Sequence, residues 1–162
     1  MIHMLTIIKA PEKFDAYSEQ TKIFLAGSIE MGVAEKWQDR MQARFANFDW
    51  VVLNPRRDDW DSSWEQKITN EQFYAQVDWE HNALEAADVI AMYFDPNTKS
   101  PISLLELGLF AATGKLVVCC PEGFWRKGNV DYICKHYNIP LVETFEELCE
   151  EVINKAVLNK FA

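Results

Sequence analysis

One carboxylate in this sequence stands in apolar company. In the run Ser100-Pro101-Ile102-Ser103-Leu104-Leu105-Glu106-Leu107-Gly108-Leu109-Phe110, Glu106 is the only charge. Helical spacing sets Ile102, Ser103, Leu109 and Phe110 around it, so the group is partly desolvated. Desolvation raises a carboxylate's pKa, and neighbouring donors lower it. A group tuned in that way suits a nucleophile or an acid–base catalyst. The plainer alternative is a Glu whose carboxylate reaches solvent or caps a neighbour.

A second concentration of chemistry lies between Asn54 and Asn70, with Arg56, Arg57, Asp58, Asp59, Trp60, Asp61 and Trp64. So long a connection in a small chain is functional or disordered, and two tryptophans argue against disorder. It reads either as a surface loop pinned by aromatics or as a pocket wall. In the second case flat faces and polar edges would meet a planar heterocycle.

Several familiar signals are missing. Gly108 to Lys115 resembles a phosphate loop, but the spacing is one residue too long and Leu116 replaces the hydroxyl residue. The first strand is not followed by Gly-x-Gly-x-x-Gly, and no Gly-x-Ser-x-Gly elbow is present. Glu80-His81 lacks the second histidine of a helical zinc site. His3, His81 and His136 read as surface or structural residues. Cys119, Cys120, Cys134 and Cys149 have neither metal-ligand nor redox spacing. Neither a metal nor an organic cofactor is expected.

The elements that must position these groups follow from periodicity. Leu5 to Ile8 reads as a possible edge strand. Buried strands are expected at Lys22–Ala26, Trp50–Leu53, Asp88–Tyr93, Lys115–Cys119 and Ile139–Val142. Between them the spacing predicts helices over Val33–Phe45, Glu71–Ala86, Pro101–Thr113 (ended by Gly114) and about Val130–His136. A last helix opens with the Thr144-x-x-Glu147 capping-box pattern. Continuous apolar strands alternating with helices imply a parallel sheet covered on both faces. The expected fold is therefore α/β: a doubly wound, flavodoxin-like, five-stranded and mainly parallel sheet. Ligands of such sheets bind beyond the carboxyl ends of the strands. That edge carries Gly27-Ser28-Ile29-Glu30, the segment after Leu53, Asp95 after the third main strand, and the loop after Cys120. Asp95 could bind hydroxyls of a ligand or cap the next turn.

The 162 residues fit one domain spanning residues 1–162, and 49% apolar with 13% aromatic residues excludes disorder. Sixteen Lys and Arg against 25 Asp and Glu give a net charge of −9. That balance argues against a nucleic-acid polymer as partner, though not against its neutral building blocks. Glu143, Glu146, Glu147, Glu150 and Glu151 read as a solvated acidic face. No apolar run approaches the roughly 20 residues that span a bilayer, so no membrane association is expected. Met1-Ile2-His3-Met4 lacks a secretory start, and a cytoplasmic protein with reduced thiols is the expectation.

Four blocks carry a resemblance: Ile23-Phe-Leu-Ala-Gly-Ser-Ile29, Asn54-Pro-Arg-Arg57, Ala87-Asp-Val-Ile90 and Ser100-Pro-Ile-Ser-Leu-Leu-Glu-Leu-Gly108. In order and spacing, over roughly Lys22 to Val142, they resemble the nucleoside 2-deoxyribosyltransferase family. The match is to the branch with Asn-Pro-Arg-Arg and Ser-Pro-Ile-Ser blocks. The resemblance implies transfer of 2-deoxyribose between nucleobases by double displacement, with Glu106 as nucleophile and a covalent deoxyribosyl ester between the two steps. It brings Glu80 onto the family's base-side acid, with Asp78 as competitor. Together with the long loop and the strand ends, it makes Phe24, Gly27, Ser28, Asn54, Arg56, Trp60, Asp61, Trp64, Asp95 and Ser100 the expected substrate-binding residues. Two positions depart from the family pattern: Ser100 where an acid is common, and Phe24 where a Tyr is common. The resemblance also implies a homodimer or larger homo-oligomer with shared sites. Asn129 would then be the residue lent by a neighbouring subunit, although it could equally cap a helix. Purine and pyrimidine substrates are both open. Two other readings stand beside the transferase: an N-glycoside hydrolase of nucleosides or nucleoside monophosphates, and a non-catalytic nucleoside-binding module. At the first loop, Glu30 would repel a 5′-phosphate if it faced inward, which favours nucleosides.

Overall fold

The computed structural model describes residues 4–30 and 34–161. His3, and Val33 at the start of the expected first helix, lie outside the described residues. Six parallel strands form one sheet: β1 (Thr6–Lys9), β2 (Lys22–Gly27), β3 (Val51–Asn54), β4 (Val89–Tyr93), β5 (Leu116–Cys119) and β6 (Leu141–Val142). Their order is β1-β3-β2-β4-β5-β6. From β2 onward this is the flavodoxin-like 2-1-3-4-5 order. The sheet has six strands rather than the five expected, because the edge segment pairs fully with β3, from Thr6 opposite Val51 to Lys9 opposite Asn54.

Among the described residues five α-helices cover the sheet: α1 (Trp37–Arg44), α2 (Glu71–Ala86), α3 (Pro101–Phe110), α4 (Lys127–His136) and α5 (Phe145–Asn159). Strand residues alternate between two cores, as the pleat requires. Phe24, Leu53, Ile90, Met92 and Val118 face one core, with Trp79 and Ala83 of α2, Leu107 of α3 and Val130 of α4. Ile23, Leu25, Val52, Ala91 and Val117 face the other, with Met41 of α1 and Leu148 and Val152 of α5. Both faces are covered, which is why the strands read as unbroken apolar runs. All four cysteines are buried and unbridged; burial pushes the thiols of Cys119, Cys120 and Cys134 up to about 12, so they serve as packing groups.

The boundaries shift for physical reasons. Arg56 donates to the carbonyls of Ala34 (2.7 Å) and Glu35 (2.9 Å), turning them away from helical pairing, and α1 starts only at Trp37. Pro140 has no N–H to give a ladder, and β6 shrinks to two residues. Helix α3 tightens into a 3-10 turn at Ala111–Thr113 before Gly114. In the other direction α4 starts three residues earlier than expected, at Lys127. Thr144 caps α5 by accepting from Glu147 N–H, while Glu147's carboxylate returns to the Thr144 hydroxyl rather than to the backbone. Among the described residues no helix is long and apolar enough to cross a membrane.

Candidate active site

The connections from β2 and β4 leave the sheet on opposite faces, and the crevice between their carboxyl ends is the switch point. Gly27 ends β2 with φ of +135°, and a Cβ there would fall 2.1 Å from the Tyr93 carbonyl oxygen. No other residue fits. Ser28 follows, fully buried, and is the hub of a hydroxyl cluster. Its Oγ accepts the Asp95 N–H at 2.8 Å and lies 2.9 Å from Thr98 Oγ1 and 2.6 Å from Ser100 Oγ. Thr98 Oγ1 is also 2.8 Å from Ser100 Oγ and donates to the Asp95 carbonyl. Ser28's own carbonyl accepts from the Trp37 indole at 3.0 Å. Ser100 thus turns its hydroxyl into this cluster. Asp95 caps the next turn, its Oδ1 accepting from Asn97 N–H at 2.9 Å.

Glu30 closes the same corner. Its Oε1 accepts from the backbone N–H groups of Lys99 and, at 2.8 Å, of Ser100, just ahead of α3. An internal carboxylate therefore occupies the donors that an external anion would use.

Two further carboxylates act on one another, one from α2 and one from α3. Glu106 is half-buried on α3, and its pKa is raised to about 8, first by burial and then by the negative charge of Glu80. Glu80 is half-buried on α2 and is also raised by burial, an effect opposed by a hydrogen bond from Gln76. Asp78, 200° further round α2, is exposed and accepts from Asn82. Of the two competing acids, Glu80 is the one that faces Glu106.

Gln76 links this pair to the long loop. Its Nε2 donates to the Pro55 carbonyl at 3.0 Å and to Glu80 Oε1 at 2.8 Å, while its Oε1 accepts from Arg57 Nη1 at 3.4 Å. Arg57 forms a two-point pair with Asp59, both contacts 2.9 Å, and lies 5.4 Å over the Trp64 ring. Trp60 meets Trp64 edge to face at 5.0 Å. The Trp60 indole N–H is buried and has no hydrogen-bond partner among the described residues. Asp61 is exposed and binds Ser63 N–H and Oγ, contacts that hold its pKa down and make it a turn cap.

Other expected site residues serve as braces. Asn54 accepts from Arg56 N–H and donates to Gln42 Oε1, and Arg56 clamps the Ala34–Gln38 segment. Phe24 is 1% exposed and packs on Trp79 inside the core. Asn129 is exposed as the third residue of α4, and the residue at the cap is Arg126, so the helix-cap alternative for Asn129 does not hold. Asn129 lines a groove of about 330 Å³ with Leu104 and Gly108, on the flank of α3 opposite Glu106.

Sequence reasoning missed Gln76 and Thr98 and left Arg57 out of the site. Gln76 carried a usable signal, since it stands one helical turn before Glu80. Thr98 carried none: Asn97-Thr98-Lys99 reads as an ordinary turn.

A family model described as "Nucleoside 2-deoxyribosyltransferase like" matches residues 20–124, well over half of the chain. The chain belongs to that family. The matched range runs from β2 past β5, so it holds both Glu80 and Glu106 but stops short of Asn129. Membership of this nucleoside 2-deoxyribosyltransferase-like family ties the chain to nucleoside chemistry. No curated protein matches the sequence. A solved structure of a conserved protein from Enterococcus faecalis V583 is similar in fold. Its TM-score is 0.59 at 17% identity, covering 84% of this chain and 99% of that one.

Proposed function

We propose that this chain transfers 2-deoxyribose from one nucleobase to another, with Glu106 as nucleophile and Glu80 as the acid–base group. The observation that carries the reading is the pair of half-buried carboxylates that α2 and α3 bring into interaction. Two like charges sharing one desolvated site hold a single proton between them near neutral pH. The reacting form has Glu106 ionised and Glu80 protonated.

From that form a Glu106 oxygen attacks the anomeric carbon. The carbon–nitrogen glycosidic bond breaks, its electron pair leaves with the base, and Glu80 supplies the proton the base needs. The ester then meets a second base. Its ring nitrogen attacks the same carbon, Glu80 takes up the nitrogen's proton, and the carbon–oxygen bond to Glu106 breaks. Nothing is oxidised or reduced. A carboxylate is suited to this work because it offsets the positive charge of an oxocarbenium-like transition state before bonding to it. A sugar without a 2′-hydroxyl forms that cation more readily.

Glu30 bears on the substrate class. With its carboxylate on the Lys99 and Ser100 N–H groups, the corner presents an anion rather than an anion seat, which favours a neutral nucleoside over a 5′-monophosphate. Trp60 and Trp64 supply flat faces for the base, with Asp95 near the sugar. The exposed side chains Ile102, Leu105 and Leu109 form an apolar stripe along α3 next to Glu106. That stripe supports a homo-oligomer in which a second copy closes the site. The proposed setting is nucleoside salvage in the cytoplasm.

The deciding assay mixes deoxyinosine with free adenine and follows all four species by chromatography. Deoxyadenosine together with released hypoxanthine is the expected result. Hypoxanthine with free deoxyribose and no deoxyadenosine would make the protein a hydrolase. Binding without turnover across purine and pyrimidine pairs would leave a nucleoside-binding module.

A further inference from the structure

We infer that Gln76 is a positioning residue that fixes Glu80 and ties the Glu80–Glu106 pair to the Pro55–Asn70 loop. The inference rests on the functional reading above for its catalytic meaning, but its structural content stands on the hydrogen bonds alone. Gln76 is 5% exposed and uses its amide in full view of both regions. One N–H is given to the Pro55 carbonyl, where the loop leaves β3, and the other to Glu80 Oε1. The amide oxygen takes the Arg57 guanidinium, which is itself held by Asp59 and laid over Trp64. A buried amide with both ends engaged has one orientation, because flipping it would set its oxygen against the Glu80 carboxylate.

This arrangement decides where the pair keeps its proton. A donor on Glu80 Oε1 favours the ionised form of Glu80, whereas among the described residues no such donor opposes the burial of Glu106. At rest, therefore, the Gln76 hydrogen bond biases the pair toward a charged Glu80. The reacting arrangement is the reverse. The charged groups around Glu80 are Glu106 from α3 and, through Gln76, Arg57 from the loop; Trp79, its neighbour on α2, packs on Phe24 of β2. Any displacement of Arg57 or of the Pro55 carbonyl by a base entering the loop acts on Gln76, and through it on which carboxylate is charged. Gln76 thus makes the protonation state of the pair answer to the occupancy of the loop.

The test is a carbon-13 titration of the glutamate carboxyl groups in the full chain, with signals assigned from Glu80→Gln and Glu106→Gln. In Gln76→Met, which keeps the side-chain length and removes the donor, the Glu80 titration moves up and that of Glu106 moves down. The acid limb of kcat/KM shifts to lower pH with it, and kcat falls about tenfold because Glu80 is no longer held. A merely structural Gln76 would change stability and leave both titrations in place, and that outcome overturns the inference. Gln76→Leu also removes the donor and adds no charge, and it replaces Gln76→Met should the latter fail to fold; its Glu80 titration also moves up. A wild type that turns over no nucleoside overturns the transferase reading, while the titration still decides the role of Gln76. Normal turnover with unmoved titrations in the variant overturns Gln76 alone.

Discussion

Two polar clusters share helix α3, one at its start through Ser100 and one along it through Glu106, and they are built on opposite terms. The Ser28–Thr98–Ser100 cluster is neutral, and its hydroxyls satisfy one another and the Asp95 backbone. The Glu80–Glu106 pair is acidic, desolvated and mutually repelling, with the Gln76 amide as the donor on Glu80. A satisfied cluster lowers the energy of one backbone arrangement, here the left-handed Ser100 (φ 45°) that launches α3. A frustrated pair does the reverse. It costs stability, and such a cost is retained where a group must change charge during a reaction. The first cluster aims α3; the second uses what α3 carries.

The largest effect expected from this contrast is at Glu106. Replacing it by Gln removes the attacking oxygen and lowers turnover by about a thousandfold or more, with the fold unchanged. Single-turnover chromatography checks the loss, and activity retained in the folded variant breaks the nucleophile assignment. Glu80→Gln is milder, about a hundredfold in kcat, the usual span of one acid–base group. It also removes the charge that helps raise Glu106, so the acid limb of the pH profile moves down. An unmoved limb would separate the two carboxylates and dissolve the pair.

Stability should follow the same division. Glu106 titrates at about 8 in the folded chain, far above the ordinary carboxylate range. Its proton is therefore bound more tightly folded than unfolded. The contribution to stability is fully present below the unfolded value and declines as pH rises from there toward about 8. Glu106→Gln has no such decline. Its melting temperature should pull ahead of the wild type's as pH is raised from about 5 to about 8, and parallel curves would show that the group is not desolvated. Ser28→Ala acts in the other direction. It strands the Asp95 N–H and takes one partner each from the Thr98 and Ser100 hydroxyls, and costs about 1–3 kcal/mol at any pH. Chemical denaturation measures it; a change within error would mean that the cluster is dispensable.

Much of this was legible in the sequence, and the parts that were not share a cause. The strands read correctly because burial on both faces leaves nothing but apolar residues in them, as in Ile23–Ala26. Glu106 stood out for the same reason. Its charge was visible against an apolar background. The loop braces were not legible in that way. Asn54 and Arg56 have the residue types of a binding site, yet their polar groups are engaged with Gln42 and with the Ala34 and Glu35 carbonyls. Those partners lie 12 to 22 residues away in the chain, and no spacing rule reveals such pairings. Gln76 was missed for the complementary reason. A single amide on a polar helix face is unremarkable until Pro55, Arg57 and Glu80 are seen to converge on it.

The smallest effect lies in the loop, which shares features of both clusters. Most of its polar groups are satisfied, as in the Arg57–Asp59 pair and the Asp61 turn. The Trp60 indole N–H is the exception. Trp60→Phe keeps an aromatic face toward Trp64 and deletes only that donor, so folding stability should not fall, since no hydrogen bond among the described residues is lost. If the donor meets an oxygen or ring nitrogen of the bound base, KM rises about fivefold, the worth of one hydrogen bond to a neutral acceptor, while kcat stays put. That split is the expected outcome. A fall in kcat with KM unchanged would place Trp60 with the acid pair, and a loss of stability would place it with the hydroxyl cluster. Each result therefore says which of the two building principles the loop obeys.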